Sequence, residues 1–303
     1  MTSALSESTV ASLHESGLDP QEVGGFVRLA LAEDLRYGPD ATTEATVPAD
    51  RWAEAGFNTR RSGVLAGIPL VRAVLEEVLG ADGFEVLSAR PDGSELSPGD
   101  CVLQVRAPVR GLLIAERTAL NLLCHLSGVA SLTGAWVAAA SGTGCRIRDS
   151  RKTLPGMRVL QKYAVRCGGG VNQRFGLGDA VLIKDNHVVA AGSVVEALRA
   201  CRARSPELPP KWKCPLRTNW RACWPRAPER CCWTTSRPSS APRRSAARRC
   251  SRPGPCWSPP AVSRCRTRAP TPRPVWTTSP RESSRTRPAR WISVLICDCL
   301  DGR

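Results

Sequence analysis

The sequence predicts an α/β protein: an N-terminal α+β sandwich domain, then an incomplete α/β barrel, then a C-terminal tail expected to be disordered. Three observations carry this. Helical and strand-like periods alternate as βαβα between about residues 110 and 203, the order that builds a parallel sheet or barrel. Upstream, helical stretches are interleaved with short strand-like pieces. After Pro210 the periodicity ends, and the last 93 residues hold 14 prolines and arginines scattered without pattern.

The elements follow in order. Residues 21–35 (QEVGGFVRLALAEDL) and 68–79 (IPLVRAVLEEVL) place apolar residues at helical spacing. Residues 84–89 (FEVLSA) and 101–106 (CVLQVR), bounded by Gly, Pro or Asp, read as strands. A long helical pattern runs over about 110–140, followed by strand 145–149, helix 157–167, strand 180–184 and helix 192–203. The domains implied are residues 1–117, 118–210 (the first half of a barrel) and 211–303 (the tail).

A formal net charge of +16 looks like a nucleic-acid signal until it is divided by position. Residues 1–210 hold 22 basic and 23 acidic groups, whereas 211–303 hold 21 basic and four acidic ones. Cysteine splits five against nine and tryptophan two against seven across the same point. One fold does not usually change its chemistry at a single residue. A non-enzyme reading takes the tail as a nucleic-acid-binding arm with steep salt dependence. The first 34 residues show no positively charged start followed by an apolar run, and no 18-residue stretch reads as a membrane span. A cytoplasmic protein without a membrane partner is expected.

Chemistry concentrates in Asp149 to His187, DSRKTLPGMRVLQKYAVRCGGGVNQRFGLGDAVLIKDNH. Arg151, Lys152, Lys162, Arg166, Arg174 and Lys184 fall within it, around the Gly168–Gly170 turn. Arginine suits bidentate contact with carboxylates and lysine suits point contact with phosphate, so the run reads as a pocket for a small, heavily anionic ligand. Taken singly, each residue has a blander reading. The glycines would cap a helix, Lys162 and Arg166 would be the wet face of a helix, and His187 would bond locally at a strand end. Cys124, Cys145 and Cys167 lack metal-ligand spacing.

The run resembles the signature of the quinolinate phosphoribosyltransferase family (nicotinate-nucleotide pyrophosphorylase, carboxylating), and the resemblance covers about residues 20–208. It implies homodimers or higher homo-oligomers that transfer phosphoribosyl from phosphoribosyl pyrophosphate to quinolinate, with loss of CO2. It also implies Lys152 and Lys184 as catalytic lysines, and Arg117, Ser150, Arg151, Lys152, Arg174 and Lys184 as substrate-binding residues. Arg117 looks like the arginine donated to a neighbouring subunit's site. Gln173 and His187 are further candidates, and Mg2+ is the cofactor implied. A sister enzyme acting on nicotinate or another pyridine is the alternative. Arg117, Arg151 and Arg174 together argue for a dicarboxylate instead.

Three departures stand out. Ser150 replaces the family's threonine and keeps its hydroxyl. Gln173 replaces a histidine, which removes any protonated imidazole and predicts weaker quinolinate affinity. The family's metal-associated Glu and Asp fall where Lys213 and Thr234 now stand, so the chain as written has no metal ligands from that pair. An open half-barrel exposes sheet edges and apolar faces, so the literal 303-residue chain is expected to be insoluble or partly unfolded, and inactive.

The tail reads as a second frame. Cys231–Ser236 back-translates as TGC TGC TGG ACA ACT TCA, which from its third base gives Leu-Leu-Asp-Asn-Phe. At the same phase, Lys211–Cys214 gives Val-Glu-Val and Pro255–Arg264 gives Leu-Leu-Glu-Ser-Ser-Gly-Gly-Leu-Thr-Leu. Val275–Thr278 gives Val-Asp-Tyr, and Arg290–Cys297 gives Leu-Asp-Ile-Gly-Phe-Asp-Leu. These strings look like the family's second half, in order. One missing base, or two extra, near codon 210 would account for the shifts in charge, Cys, Trp and Pro together.

Overall fold

A computed structural model describes residues 5–143, 146–208, 210–214, 230–233 and 292–299. In chain order its elements begin with α1 (Glu7–Glu15), α2 (Pro20–Asp34), α3 (Ala41–Thr46), β1 (Trp52–Thr59), β2 (Gly63–Val64) and α4 (Ile68–Leu79). There follow β3 (Glu85–Ala89), β4 (Glu95–Leu96), β5 (Cys101–Pro108), α5 (Val109–Ala140) and α6 (Arg158–Cys167). The last are β6 (Leu182–Ile183), α7 (Asp185–Ala191), α8 (Val194–Arg204), β7 (Lys211–Cys214), β8 (Arg230–Trp233) and β9 (Ile292–Cys299). Chain contacts separate two compact units: Met1–Val137 with Lys152–Asn172 and Pro274–Arg303, and Ala138–Arg151 with Gln173–Arg273.

The first unit is built on an antiparallel sheet in the order β3-β5-β1-β9. Strand β1 alternates as a half-buried strand should, with Ala53, Ala55, Phe57 and Thr59 inward. Helix α4 is enclosed on almost every side, and its Leu70, Val71, Val74 and Leu75 share one core with Val102, Leu103 and Val105 of β5 and Leu112, Leu123 and Leu126 of α5. Two carboxylates, Asp92 half-buried and Glu76 buried, dock this helix. Asp92 accepts from the N–H groups of Gly67 (2.6 Å) and Ile68 (3.2 Å) at its start, and from the Tyr163 hydroxyl of α6. Glu76 accepts from the Ser6 N–H (2.9 Å), the Ser6 hydroxyl (2.6 Å) and the Thr9 hydroxyl (2.5 Å), which ties down α1. Helix α5 is long and apolar enough by length and composition to cross a membrane, beyond what the sequence reading allowed; its Leu112, Ala115, Ala119, Leu123 and Leu126 fill the core, which accounts for that composition.

Helices α4, α5 and α6, strands β3 and β5 and helix α8 fall where the sequence patterns place them, within two residues at most ends. The expected strand 145–149 appears, among the described residues, only as a bridge at Arg148, and strand 180–184 contracts to Leu182–Ile183. Helix α7, separated from α8 by Gly192 at φ +86°, is an addition. So is β1, whose inward face is mainly alanine and therefore carries a weak apolar period. In the second unit, β6, β7 and β8 form a parallel sheet in that order. Of residues 211–303, the described ones are the three strands β7, β8 and β9; the rest of the expectation of a disordered tail lies outside the described residues.

The loop entering α4 satisfies its backbone against α5. Ser131 Oγ accepts from the Val64 N–H (2.7 Å) and donates to the Val64 carbonyl (3.4 Å). One turn earlier, Ser127 Oγ accepts from the Ala66 N–H (3.1 Å) and donates to the Ala66 carbonyl (3.2 Å). Two hydroxyls four residues apart on a helix thus stand in for a neighbouring strand. Ser127→Ala leaves both Ala66 groups orphaned in the core and should cost about 1–3 kcal/mol in denaturant unfolding, whereas a change under about 0.5 kcal/mol contradicts this account.

Candidate active site

Within the second unit, the site begins where Arg148 leaves its bridge. Asp149 Oδ1 accepts from the Gln173 N–H (2.7 Å), pinning the start of Asp149–Ser150–Arg151 to the segment that carries Arg174. Arg174 is half-buried and donates from Nη1 to the Ala180 carbonyl (2.8 Å), closing the loop 174–180 on itself. Asp179 clamps that loop by accepting from the N–H groups of Phe175 (2.5 Å) and Gly176 (3.0 Å). Burial opposes ionisation of Asp179, but these N–H bonds and the charge of Arg174 together hold its carboxyl below the usual range.

The guanidinium groups of Arg151 and Arg174 are near enough to repel one another. Burial lowers the pKa of Arg174, and the charge of Arg151 lowers it further, while Asp179 opposes both. Arg151 is itself half-buried, and its Nε is buried without a hydrogen-bond partner; the Nε of Arg148 is in the same state. Arginine stays protonated under such pressure, so the arrangement is a pair of like charges with donors to spare. That is what a multivalent anion fits.

Lys184 follows β6 directly and is exposed. Its backbone N–H donates to His187 Nδ1 (2.9 Å), so the His187 ring is engaged locally at the start of α7, as its blander reading has it. Lys184 lies at the C-terminal end of a parallel strand, the end where α/β sheets place their chemistry. Beside it β7 and β8 end in register, with Cys214 opposite Trp233. Ser150 is exposed and Gln173 half-buried.

The first unit carries Lys152 and Arg117. Lys152 is exposed and opens the 152–157 loop before α6. Arg117 projects from α5 with its side chain 61% exposed, and Nη2 stands 4.0 Å from Glu116. The sequence reading of Lys162 and Arg166 as a wet face is overturned. Lys162 is fully buried, and Arg166 donates to the Ser16 carbonyl (2.5 Å) and to Asn172 Oδ1 (3.0 Å). The glycine triplet caps a helix, with the Gly169 N–H reaching the Arg166 carbonyl and the Gly170 N–H the Val165 carbonyl, both 2.9 Å. With Gly169 at φ +80°, this is the paired bonding of a Schellman end. A Cβ at Gly168 would collide with the Ala130 carbonyl, so the triplet also lets α6 approach α5.

Sequence reasoning gave no role to Asp149, Asp179 or Arg148. An acid two residues before an Arg-Lys pair at a strand end was the available signal for Asp149. No three His, Cys, Asp or Glu side chains converge as metal ligands among the described residues, so these residues do not fit the Mg2+ that the resemblance implies.

Comparison with known proteins completes the picture. The profile of the quinolinate phosphoribosyl transferase N-terminal domain matches residues 40–127, and that of its C-terminal domain matches residues 129–213. The chain is 60% identical over 183 residues to a Mycobacterium leprae nicotinate-nucleotide pyrophosphorylase [carboxylating], covering 60% of this chain and 64% of that one. It is 40% identical over 179 residues to an Arabidopsis thaliana chloroplastic protein of the same name, covering 59% and 50%. The crystal structure of NadC from Streptococcus pyogenes superposes with a TM-score of 0.61 at 39% identity, over 65% of this chain and 69% of that one. The chain thus spans between half and two thirds of the length of these curated relatives. On these matches, the chain belongs to the quinolinate phosphoribosyl transferase family.

Proposed function

We propose that this chain carries the substrate-recognition half of an enzyme that transfers phosphoribosyl from phosphoribosyl pyrophosphate to quinolinate, releasing pyrophosphate and CO2 and forming nicotinate mononucleotide. The observation that carries the reading is the Arg151–Arg174 pair, two half-buried like charges held together by loop hydrogen bonds. A ring with adjacent carboxylates supplies the matching negative charges. Arg151 and Arg174 take one carboxylate each, and the ring nitrogen is turned toward ribose C1.

The nitrogen lone pair then forms the N–C1 bond as the C1–O bond to pyrophosphate breaks, through an oxocarbenium-like state. Lys152 and Lys184 hold the anionic oxygens whose charge grows as pyrophosphate leaves, so their contribution is positioning and electrostatic stabilisation. The newly quaternised nitrogen stabilises the electron pair left on C2 when the adjacent carboxylate departs as CO2, and a proton from solvent replaces it. Ser150 adds a hydroxyl beside Arg151. Gln173 cannot offer a second cation, which supports weaker quinolinate binding than a histidine would give. Exposed Arg117 is free in direction to serve a neighbouring copy, so a homodimer or larger homo-oligomer in the cytoplasm goes with this reading.

The second-frame reading accompanies it as a proposal. The C-terminal-domain match ends at residue 213, beside the change in composition. Strands β7, β8 and β9 overlap three of the five segments whose second frame spells family-like strings. In that frame a Glu falls across Trp212/Lys213, within β7 beside the strand that leads to Lys184, and an Asp across Trp233/Thr234, from the last residue of β8, which pairs with β7. Those carboxylates would be the Mg2+ ligands, and their loss would leave the literal chain unable to turn over.

Two measurements test these readings. Arg174→Lys removes bidentate contact and should weaken quinolinate binding by the full chain about 10–100-fold in titration calorimetry, leaving phosphoribosyl pyrophosphate binding within about twofold; equal loss of both ligands, or of neither, defeats the assignment. Sequencing the gene across codons 205–235 should reveal one missing or two extra bases relative to the frame used here, and a read that reproduces this frame rules out an error of reading.

A further inference from the structure

The loop of residues 152–157 carries Lys152 and has no regular secondary structure. Its geometry is set from α6. Thr153 Oγ1 accepts from Arg158 Nε (3.2 Å), and the Leu154 N–H donates to Gln161 Oε1 (3.0 Å). The other end of the Gln161 amide lies 2.9 Å from Nε2 of His125, on α5.

These contacts form a directional chain. The Leu154 N–H is a backbone donor and cannot change its role, so Gln161 must present its carbonyl oxygen there. The amide NH2 then points at His125, whose Nε2 must accept, which places the ring proton on Nδ1. A flipped amide would set NH2 against N–H, donor on donor, and leave the Leu154 group unsatisfied. Burial lowers the pKa of His125, which favours the neutral ring that this pattern needs.

We propose that His125 is a positioning residue that acts through Gln161 to fix the loop bearing Lys152. In the reaction proposed above, on which this consequence rests, the loop's fixed geometry holds the Lys152 ammonium where the phosphoribosyl substrate's anionic oxygens lie. His125 and Arg117 stand two turns apart on α5, so one helix would serve both substrates: Arg117 through a neighbouring copy and His125 through the loop.

Hydrogen–deuterium exchange of the full 303-residue chain, resolved at the Leu154 amide, tests the relay. His125→Phe keeps a ring but loses the acceptor, and it should speed Leu154 exchange roughly tenfold. His125→Gln returns an acceptor near the position of Nε2 and should stay within about twofold of the parent, with the Leu123 and Leu126 amides of α5 unchanged. Gln161→Met breaks both bonds from the other side and should match His125→Phe. Leu154 protection that survives His125→Phe or Gln161→Met overturns the proposal, and so does protection lost equally in His125→Gln or lost together with the α5 amides.

His125→Phe and Gln161→Met should weaken phosphoribosyl pyrophosphate binding about tenfold and leave quinolinate within about twofold, with His125→Gln close to the parent for both, a split that general loosening would not produce. A full chain that binds neither ligand defeats the proposed function, while the exchange result alone still decides the relay.

Discussion

Two guanidinium groups near enough to repel, with Asp179 opposing that repulsion at Arg174, are the constraint on which the second unit depends. Burial and mutual repulsion both disfavour the pair, as the lowered pKa of Arg174 records. A fold keeps such an arrangement only if other bonds hold it and a ligand relieves it. The Asp149–Gln173 bond, the Arg174 bond to Ala180 and the Asp179 clamp on Phe175 and Gly176 are those bonds. None of the three carboxylate contacts uses a guanidinium as its donor. The acids organise backbone and leave the cations available for substrate.

The first unit solves a different problem, which is to present α5 and α6 rigidly. Strand-like pairing of Ser127 and Ser131 to residues 64–66 fixes α5, and the Tyr163 hydroxyl bond to Asp92 together with the glycine-enabled approach to α5 fixes α6. Burial also pushes the Cys167 thiol up to about 11, so the cysteine at the end of α6 is an inert part of that packing. Rigid helices then position exposed cations. Arg117 and Lys152 are exposed side chains on ordered backbone, which suits groups that must close on a ligand.

Much of this was legible in the sequence, and the limits have physical causes. Helices α4 and α5 read clearly because long apolar periods have few alternative packings. Strand β1 did not, because Ala53 and Ala55 bury little area. The Asp149–His187 run was read as an anion site from its combination of charges, but the part each residue plays depends on contacts distant in sequence. Lys162 and Arg166 look like a solvated stripe on a helical wheel, yet Arg166 bonds to Ser16 across 150 positions, which no local period reveals. The glycine triplet serves as the helix cap its blander reading gives, whereas the collision at Gly168 that also requires a glycine there appears only once α5 lies beside it.

The central claim is that Arg151 and Arg174 form a dicarboxylate site. Titration of the full chain with quinolinate and, separately, with nicotinate tests it most directly, because the two rings differ by one carboxylate. Losing a charge-assisted contact worth about 1.5–3 kcal/mol predicts quinolinate binding at least about tenfold tighter than nicotinate. Equal affinities, or tighter binding of nicotinate, would contradict the site as described.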